Sequence, residues 1–234
     1  VTRRAARASG CILLADARES TASAVLPRLL DLCDVKNDET QFAIGEALAF
    51  AWGGVDVDAD RVLTTSFTSL SAAAKSTDDE RSDEPKPEPA SVDGYDPSAD
   101  PRAHIHRAVL DAIFNRCIYS SRVEKRCAAC VWLLSLVTHA GRHPRVSTML
   151  QDVQEAFGSL LGDQNELTQE LASRGMSVLY EMGDEAQRKE LLAALMGTLN
   201  GAAPKKRHVK LDDDAEVFEE GTIAIDDKAL RSGD

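Results

Sequence analysis

Apolar residues recur at helical spacing along most of this chain, and this periodicity limits the possible folds more than any other feature. Alternating apolar and polar stretches, which are typical of half-buried strands, are nearly absent. After residue 148 the three- and four-residue steps run through Met149, Leu150, Val153, Ala156, Phe157, Leu160 and Leu161. We therefore predict an all-α protein with helices at 2–17, 21–35, 38–52, 58–75, 101–119, 122–140, 144–162, 164–182 and 184–199.

Four of these helices share an internal pattern that indicates a repeat. Each opens with polar residues, continues through small ones and ends in large apolar ones. The first two, near residues 3 and 41, lie about 40 residues apart, as do the last two, near residues 124 and 169, which is the spacing of HEAT repeats. A glycine inside a helix costs about 1 kcal/mol relative to alanine, so the recurring glycines indicate close packing. We predict a HEAT/armadillo-like α-solenoid of antiparallel helix pairs, with an irregular helical bundle as the alternative. The predicted repeat-packing residues are Gly10, Gly45, Ala128, Trp132, Leu171, Gly175 and Tyr180.

Two segments do not fit the helical pattern. Residues 76–101 are acidic and rich in proline, and residues 201–234 combine a basic cluster with an acidic run. Both contain too few apolar residues to form a core, so we predict that the first is a disordered linker and the second a mostly disordered tail. HEAT-like helical repeats are then expected over 1–75 and 102–200.

The charge and the cysteines exclude several classes of protein. The net charge of −12 disfavours binding to nucleic acid or to an anionic membrane surface, and no apolar run is long enough for membrane insertion. The five cysteines lie mostly in apolar stretches, which predicts reduced, buried thiols in an intracellular protein. The C-x-x-C pair Cys127 and Cys130 falls inside a helix without a second ligand pair, so we interpret it as core rather than as a zinc site.

Sequence motifs for catalysis are missing. There is no glycine-rich phosphate loop, no G-x-S-x-G and no H-E-x-x-H. His104 and His106 alternate at a helix start and are predicted to be surface residues, while His139 and His143 flank a turn. We therefore predict no catalytic residues, no metal, no cofactor and no enzyme activity.

Specific runs of residues resemble a known family. The run Ala128–Val137 is similar to the "AAC(I/V)WLLSLV" of the large proteasome adaptor and scaffold proteins, which are giant HEAT-repeat proteins. Residues 165–183, NELTQELASRGMSVLYEMG, and residues 41–48, QFAIGEAL, resemble two further family stretches. The similarity runs through residues 1–75 and 102–200, and since such proteins are far longer, a fragment or truncated homologue is expected.

The resemblance implies a non-catalytic scaffold that binds the 26S proteasome and stabilises or monitors the association of its core and regulatory particles. We also expect a cytoplasmic and nuclear location. The alternative is a generic HEAT/armadillo interaction module in transport or complex assembly. From the acidic linker we predict the partner contacts Asp78, Asp79, Glu80, Asp83 and Glu84. Terminal repeats of a solenoid usually carry a polar outer face, and the first helix has no such capping repeat before it. We therefore predict that the isolated chain self-associates.

Overall fold

The computed structural model describes residues 2–53, 94–141 and 143–199, and every regular element in these ranges is helical. The helices are α1 Thr2–Ala15, α2 Glu19–Leu30, α3 Asp38–Trp52, α4 Ala103–Leu110, α5 Val123–Ala140, α6 Pro144–Thr148, α7 Leu150–Leu160, α8 Glu166–Met182 and α9 Glu185–Leu199. A 3₁₀ turn, Asp31–Asp34, follows α2, and a π-helical stretch, Asp111–Cys117, continues α4. The all-α prediction is confirmed for the described residues.

Local signals explain where the helices begin and end. Helix α3 has the predicted bounds because Asn37 caps its start and Gly53, at φ 87°, ends it in a conformation that favours glycine. The predicted helix 144–162 is instead divided at Met149, whose φ of −115° and ψ of 12° leave the helical range. The predicted helix 58–75, residues 76–93 of the linker and the tail 201–234 lie outside the described residues.

Helices α1, α3, α5 and α8 lie side by side in a row and run parallel. Their starts and ends are matched along the row: Arg3 near the start of α1 pairs with Glu39 of α3, and Gly10 farther along contacts Ala47. The contacts between α3 and α5, and those between α5 and α8, show the same parallel direction. Helix α2 packs on α1, α7 packs on α5 and α8, and α9 follows on α8.

The core lies along this row. Helix α5 is buried on nearly all sides, since every residue from Cys127 to Val137 is buried. Trp52, Trp132 and Phe157 are the largest fully buried side chains. None of the described helices combines the length and apolar character that crossing a bilayer needs.

Candidate functional site

Helices α3 and α8 begin with the same capping motif. The side-chain oxygen of Asn37 accepts hydrogen bonds from the backbone N–H and the hydroxyl of Thr40, at 2.9 and 2.8 Å. Asn165 accepts the same two bonds from Thr168, at 2.9 and 3.1 Å. Each cap satisfies a backbone donor that the first helical turn leaves unpaired.

The residue after each threonine is a glutamine whose side chain hydrogen-bonds to the loop before the helix. The side-chain amide of Gln41 donates to the carbonyls of Leu32 and Val35, both at 2.9 Å, and the amide of Gln169 donates to the carbonyl of Asp163. At the equivalent place in α5, four residues after its N-cap, Arg126 donates to the carbonyls of Ser120 and Ser121. The starts of α3, α5 and α8 therefore share a side chain that binds the preceding loop, while the asparagine cap is found at α3 and α8 and not at α5.

The side chains of Gln41 and Arg126 also connect neighbouring parts of the helical row. The indole N–H of Trp132 in α5 donates to the side-chain oxygen of Gln41 at 3.1 Å. Arg126 forms an ion pair with Asp163, whose side chain is only 2% exposed. Burial alone would raise the pKa of Asp163, but the hydrogen bonds from Arg126 and the Asn165 N–H outweigh burial and lower the pKa.

The sequence analysis did not identify the capping motif before Gln41 and Gln169. The signal was present as Asn-x-x-Thr-Gln at residues 37–41 and 165–169. Asn165, rather than Asp163 two residues before it, caps α8. Asp184 caps α9: its carboxylate accepts from the Gln187 N–H at 2.8 Å, while the Gln187 side chain accepts from the Asp184 N–H.

Most of the repeat-packing residues named from the sequence lie at helix–helix contacts. A Cβ added to Gly10 would lie 2.6 Å from the Ala47 Cα, and one added to Gly45 would lie 2.4 Å from the Ser135 hydroxyl. A Cβ added to Gly175 would meet the ring of Phe157 at 2.4 Å. Ala128 and Trp132 are fully buried and Leu171 is 7% exposed, whereas Tyr180 lies at the surface, 41% exposed.

Tyr180 therefore differs from the other repeat-packing residues. The guanidinium of Arg188 in α9 lies 5.5 Å from the centre of its ring, within the range of a cation–π contact. Arg188 also donates to the carbonyls of Tyr180 and Glu181 at the end of α8. Tyr180 thus supports the α8–α9 connection from the outside.

The opposite end of the row is held by a different set of residues. The guanidinium of Arg102 donates to the carbonyls of Leu13 and Leu14 at the end of α1 and to that of Ala51 near the end of α3, at 2.7–2.9 Å. Nε2 of His106 lies 2.8 Å from the Trp52 carbonyl oxygen. Arg102 and His106 thus satisfy carbonyls that the last turns of α1 and α3 leave unpaired.

His106, which is buried, forms a polar cluster with Asp100, His143 and Tyr95, which are partly buried. Nε2 of His143 lies 3.6 Å from an Asp100 carboxylate oxygen, which also accepts from the Tyr95 hydroxyl at 2.8 Å. Burial lowers the pKa of His106 to about 4. Burial, and then the bond to Asp100, raises the pKa of Tyr95 to about 12.

This cluster corrects two predictions from the sequence. His106 was expected at the surface, yet it is 2% exposed and stacks on Trp52 with a ring separation of 4.1 Å. The predicted disordered linker extended to residue 101, whereas residues 94–101 form turns and carry Asp100 into the cluster. The hydroxyl of Tyr95 donates to Asp100 within this stretch.

The cysteines mainly follow the prediction of a buried location. Cys33, Cys117, Cys127 and Cys130 are buried and free. The thiol of Cys130 lies 3.6 Å from the Thr168 carbonyl oxygen, and burial raises its pKa. Cys11 is exposed, contrary to the prediction, because it lies on the side of α1 that faces away from α3. The predicted partner contacts Asp78, Asp79, Glu80, Asp83 and Glu84 lie outside the described residues.

Comparison with known proteins gives relatives of one kind. The chain is 32% identical over 200 residues to the human "Proteasome adapter and scaffold protein ECM29", a match that covers 85% of this chain and 9% of the human protein. It is 30% identical over 129 residues to "Proteasome component ECM29" of Saccharomyces cerevisiae, which covers 52% of this chain and 7% of the yeast protein.

A third relative is the "Proteasome-associated protein ECM29 homolog" of Drosophila melanogaster, 33% identical over 108 residues, or 46% of this chain and 6% of the fly protein. No family model matches the chain, and no solved structure matches it. The chain thus spans less than a tenth of the length of these curated relatives. The resemblance to the proteasome adaptor and scaffold family is confirmed, and the chain is a homologue of one segment of the ECM29 proteins.

Proposed function

We propose that this chain is a non-catalytic helical scaffold segment that binds the 26S proteasome and stabilises the association of its core and regulatory particles. The observation that carries the proposal is the 32% identity to the human adaptor and scaffold protein over 85% of this chain. Its homologues are proteasome-associated by name. The proposed partners are subunits of both particles, and the proposed location is cytoplasmic and nuclear.

The proposed architecture behind this function is a HEAT/armadillo-like α-solenoid. Support comes from the parallel row of α1, α3, α5 and α8 and from the capping motif repeated at the starts of α3 and α8. In a solenoid each repeat contacts only its neighbours and leaves an extended surface for partners. Such a surface suits a scaffold, because binding then depends on many weak contacts rather than on one pocket.

The charged segment 78–84 is the proposed contact with the proteasome. Asp78, Asp79, Glu80, Asp83 and Glu84 concentrate negative charge within seven residues, which favours a basic partner surface. Charges at the edge of an interface mainly govern how fast the partners associate and how strongly salt weakens the complex. We therefore expect binding through this segment to weaken as the salt concentration rises.

The test is capture by the whole 234-residue chain, immobilised and presented in turn with purified 26S proteasomes, core particles and regulatory particles. Retention of both particles supports the adaptor function, and a larger share of assembled 26S on native gels supports stabilisation of the assembly. Retention of neither particle contradicts the proposal. Recovery of a different assembly from cell extract would favour the generic interaction module instead.

Two charge-matched variants test the proposed contact. In the first, Asp78, Asp79, Glu80, Asp83 and Glu84 are changed to lysine. In the control, the same change is made at Asp212, Asp213, Asp214, Glu216 and Glu219 of the C-terminal acidic run. Loss of capture in the first variant alone supports the contact at 78–84, whereas equal loss in both shows a general effect of charge.

Exposed apolar side chains bear on the proposed self-association of the isolated chain. Ile12 on α1 is 49% exposed, and Leu192 and Met196 on α9 are 48% and 57% exposed. In a longer solenoid the faces at either end of a segment are covered by the next repeat. We propose that these faces pair between copies in the isolated chain, and light scattering that shows a monomer at high concentration would contradict this.

A further inference from the structure

Asp100, His106 and His143 bring three potential metal ligands together beside the end of α3. One ligand atom of each residue lies within 4.8 Å of the others. His106 is 2% exposed, and its Nδ1 is buried without a hydrogen-bond partner. A buried nitrogen of this kind is costly unless something binds to it. We propose that these three residues bind a Zn²⁺ ion.

The surroundings of His106 prepare it as a ligand. Its Nε2 lies 2.8 Å from the Trp52 carbonyl oxygen, and since a carbonyl only accepts, that nitrogen carries the proton. The lone pair is therefore on Nδ1, the nitrogen without a partner. A metal-binding histidine usually donates its other N–H to such an oxygen, which fixes the tautomer and the ring orientation. Stacking on Trp52 holds the ring as well.

The carboxylate of Asp100 is oriented in the same way. One oxygen accepts from the backbone N–H of Arg102 at 2.7 Å, and the other accepts from the Tyr95 hydroxyl at 2.8 Å. Hydrogen bonds to a ligating carboxylate are the usual outer support of a metal site. They also stabilise the ionised carboxylate, and the net pKa of Asp100 is lowered although burial alone would raise it.

The ligand set and the spacing suit zinc. Two imidazoles and one carboxylate are common Zn²⁺ ligands, with water as a fourth, and tetrahedral geometry places neighbouring ligand atoms about 3.4 Å apart. Nε2 of His143 lies 3.6 Å from the Asp100 carboxylate oxygen. The positive charge of Arg102 close by is directed to the carbonyls of Leu13, Leu14 and Ala51. Small side-chain movements would then complete the site.

Coordination has one identifiable cost. Nδ1 of His143 accepts a hydrogen bond from the Arg145 N–H at 3.2 Å, at the long end of the normal range. Binding zinc through Nε2 moves the ring proton to Nδ1, so this cap of α6 is lost. In return, the metal links the turn at residues 94–101, helix α4 and the start of α6. The ion would thus hold the C-terminal end of the row together.

The test measures zinc bound by the whole chain after equilibrium dialysis against Zn²⁺, with His143→Asn as the diagnostic variant. Asparagine keeps a capping side chain at the start of α6 but removes the ligand nitrogen. The matched control is His139→Asn, on the exposed side of α5. We expect one zinc per chain in the wild type and the control, and a zinc-dependent rise in Tm that His143→Asn loses. Loss of an outer-shell partner alone weakens metal affinity by about 10–100-fold, so loss of this ligand should weaken it by at least that much.

Cobalt substitution separates this site from the cysteines. Co²⁺ bound by two histidines and a carboxylate shows visible bands without the near-ultraviolet absorption of a cobalt–thiolate bond. Thiolate absorption would assign the metal to cysteine and overturn the proposal. So would the absence of stoichiometric zinc in the wild type, or full zinc binding by His143→Asn. Proteasome capture is not part of this readout, so the two proposals can fail independently.

Discussion

The two ends of the helical row are held in different ways. At the starts of α3 and α8, the same asparagine, threonine and glutamine form the same hydrogen bonds, and Arg126 takes the glutamine's place in α5. At the other end no common motif is seen among the described residues: Arg102 and His106 satisfy carbonyls at the ends of α1 and α3, whereas Arg188 from α9 does so at the end of α8. The repeated end explains the stacking, and the unrepeated end is where chemistry specific to this segment is concentrated.

The largest effect on stability is expected at Arg126 in α5, which stands where α3 and α8 have glutamine. Arg126→Gln would give α5 the side chain found in α3 and α8, but it leaves the buried Asp163 carboxylate without its cation. We expect the free energy of unfolding to fall by about 2–4 kcal/mol. Urea denaturation measures it, and adding Asp163→Asn should restore at least half of the loss. An unchanged stability in the single variant would show that Gln and Arg are interchangeable here.

A glycine pair tests the packing between the ends. In Gly10→Ala the new Cβ would lie 2.6 Å from the Ala47 Cα, which cannot move without shifting α3. We expect a loss of about 1–3 kcal/mol in the free energy of unfolding. Gly158→Ala in α7 is the control, because a Cβ there has no neighbour within 4 Å, and it should gain up to about 1 kcal/mol. Equal effects would contradict close packing at Gly10.

The stability of the fold is expected to depend on pH through Glu46, midway along α3. Burial raises the pKa of Glu46 to about 7, and Arg7, 3.9 Å away, offsets only part of this. The folded chain then holds this proton more tightly than the unfolded chain, so Glu46 makes stability fall as pH rises from about 4.5 to 7. We expect Glu46→Gln to remove about 1–2 kcal/mol of that fall. Urea titrations at pH 5 and pH 8 measure it, and an unchanged pH dependence would show that Glu46 is not responsible.

The smallest effects should be equal at the two matching caps. Asn37→Ala and Asn165→Ala each remove two hydrogen bonds to the first turn. We expect each to lower the free energy of unfolding by about 1 kcal/mol. Thermal denaturation of the two variants side by side measures this. A difference well beyond the error would mean that the two starts share a sequence but not a structural role.

The sequence predicted well what depends on local signals. The bounds of α3 agree with the prediction because the capping asparagine and the terminal glycine are adjacent to the apolar pattern. His106 was misjudged because its burial depends on Trp52, which is 54 residues away in the chain. The cluster with Asp100 and His143 could not be predicted for the same reason, since three separate segments supply it. Asn-x-x-Thr-Gln, by contrast, was readable and was missed.

Because the row is parallel, the peptide dipoles of its four helices all point the same way. Positive partial charge accumulates at one edge and negative partial charge at the other, and parallel neighbours repel. Acidic residues in the first turns of α3, α5 and α8 oppose this repulsion: Asp38, Glu39, Glu124 and Glu166. Helix α1 has none and uses Arg3 to reach Glu39 instead. A helix added to either side of the row would therefore gain stability from an acidic first turn or, like α1, from a cation that reaches an acidic residue of its neighbour, which can guide the design of longer arrays.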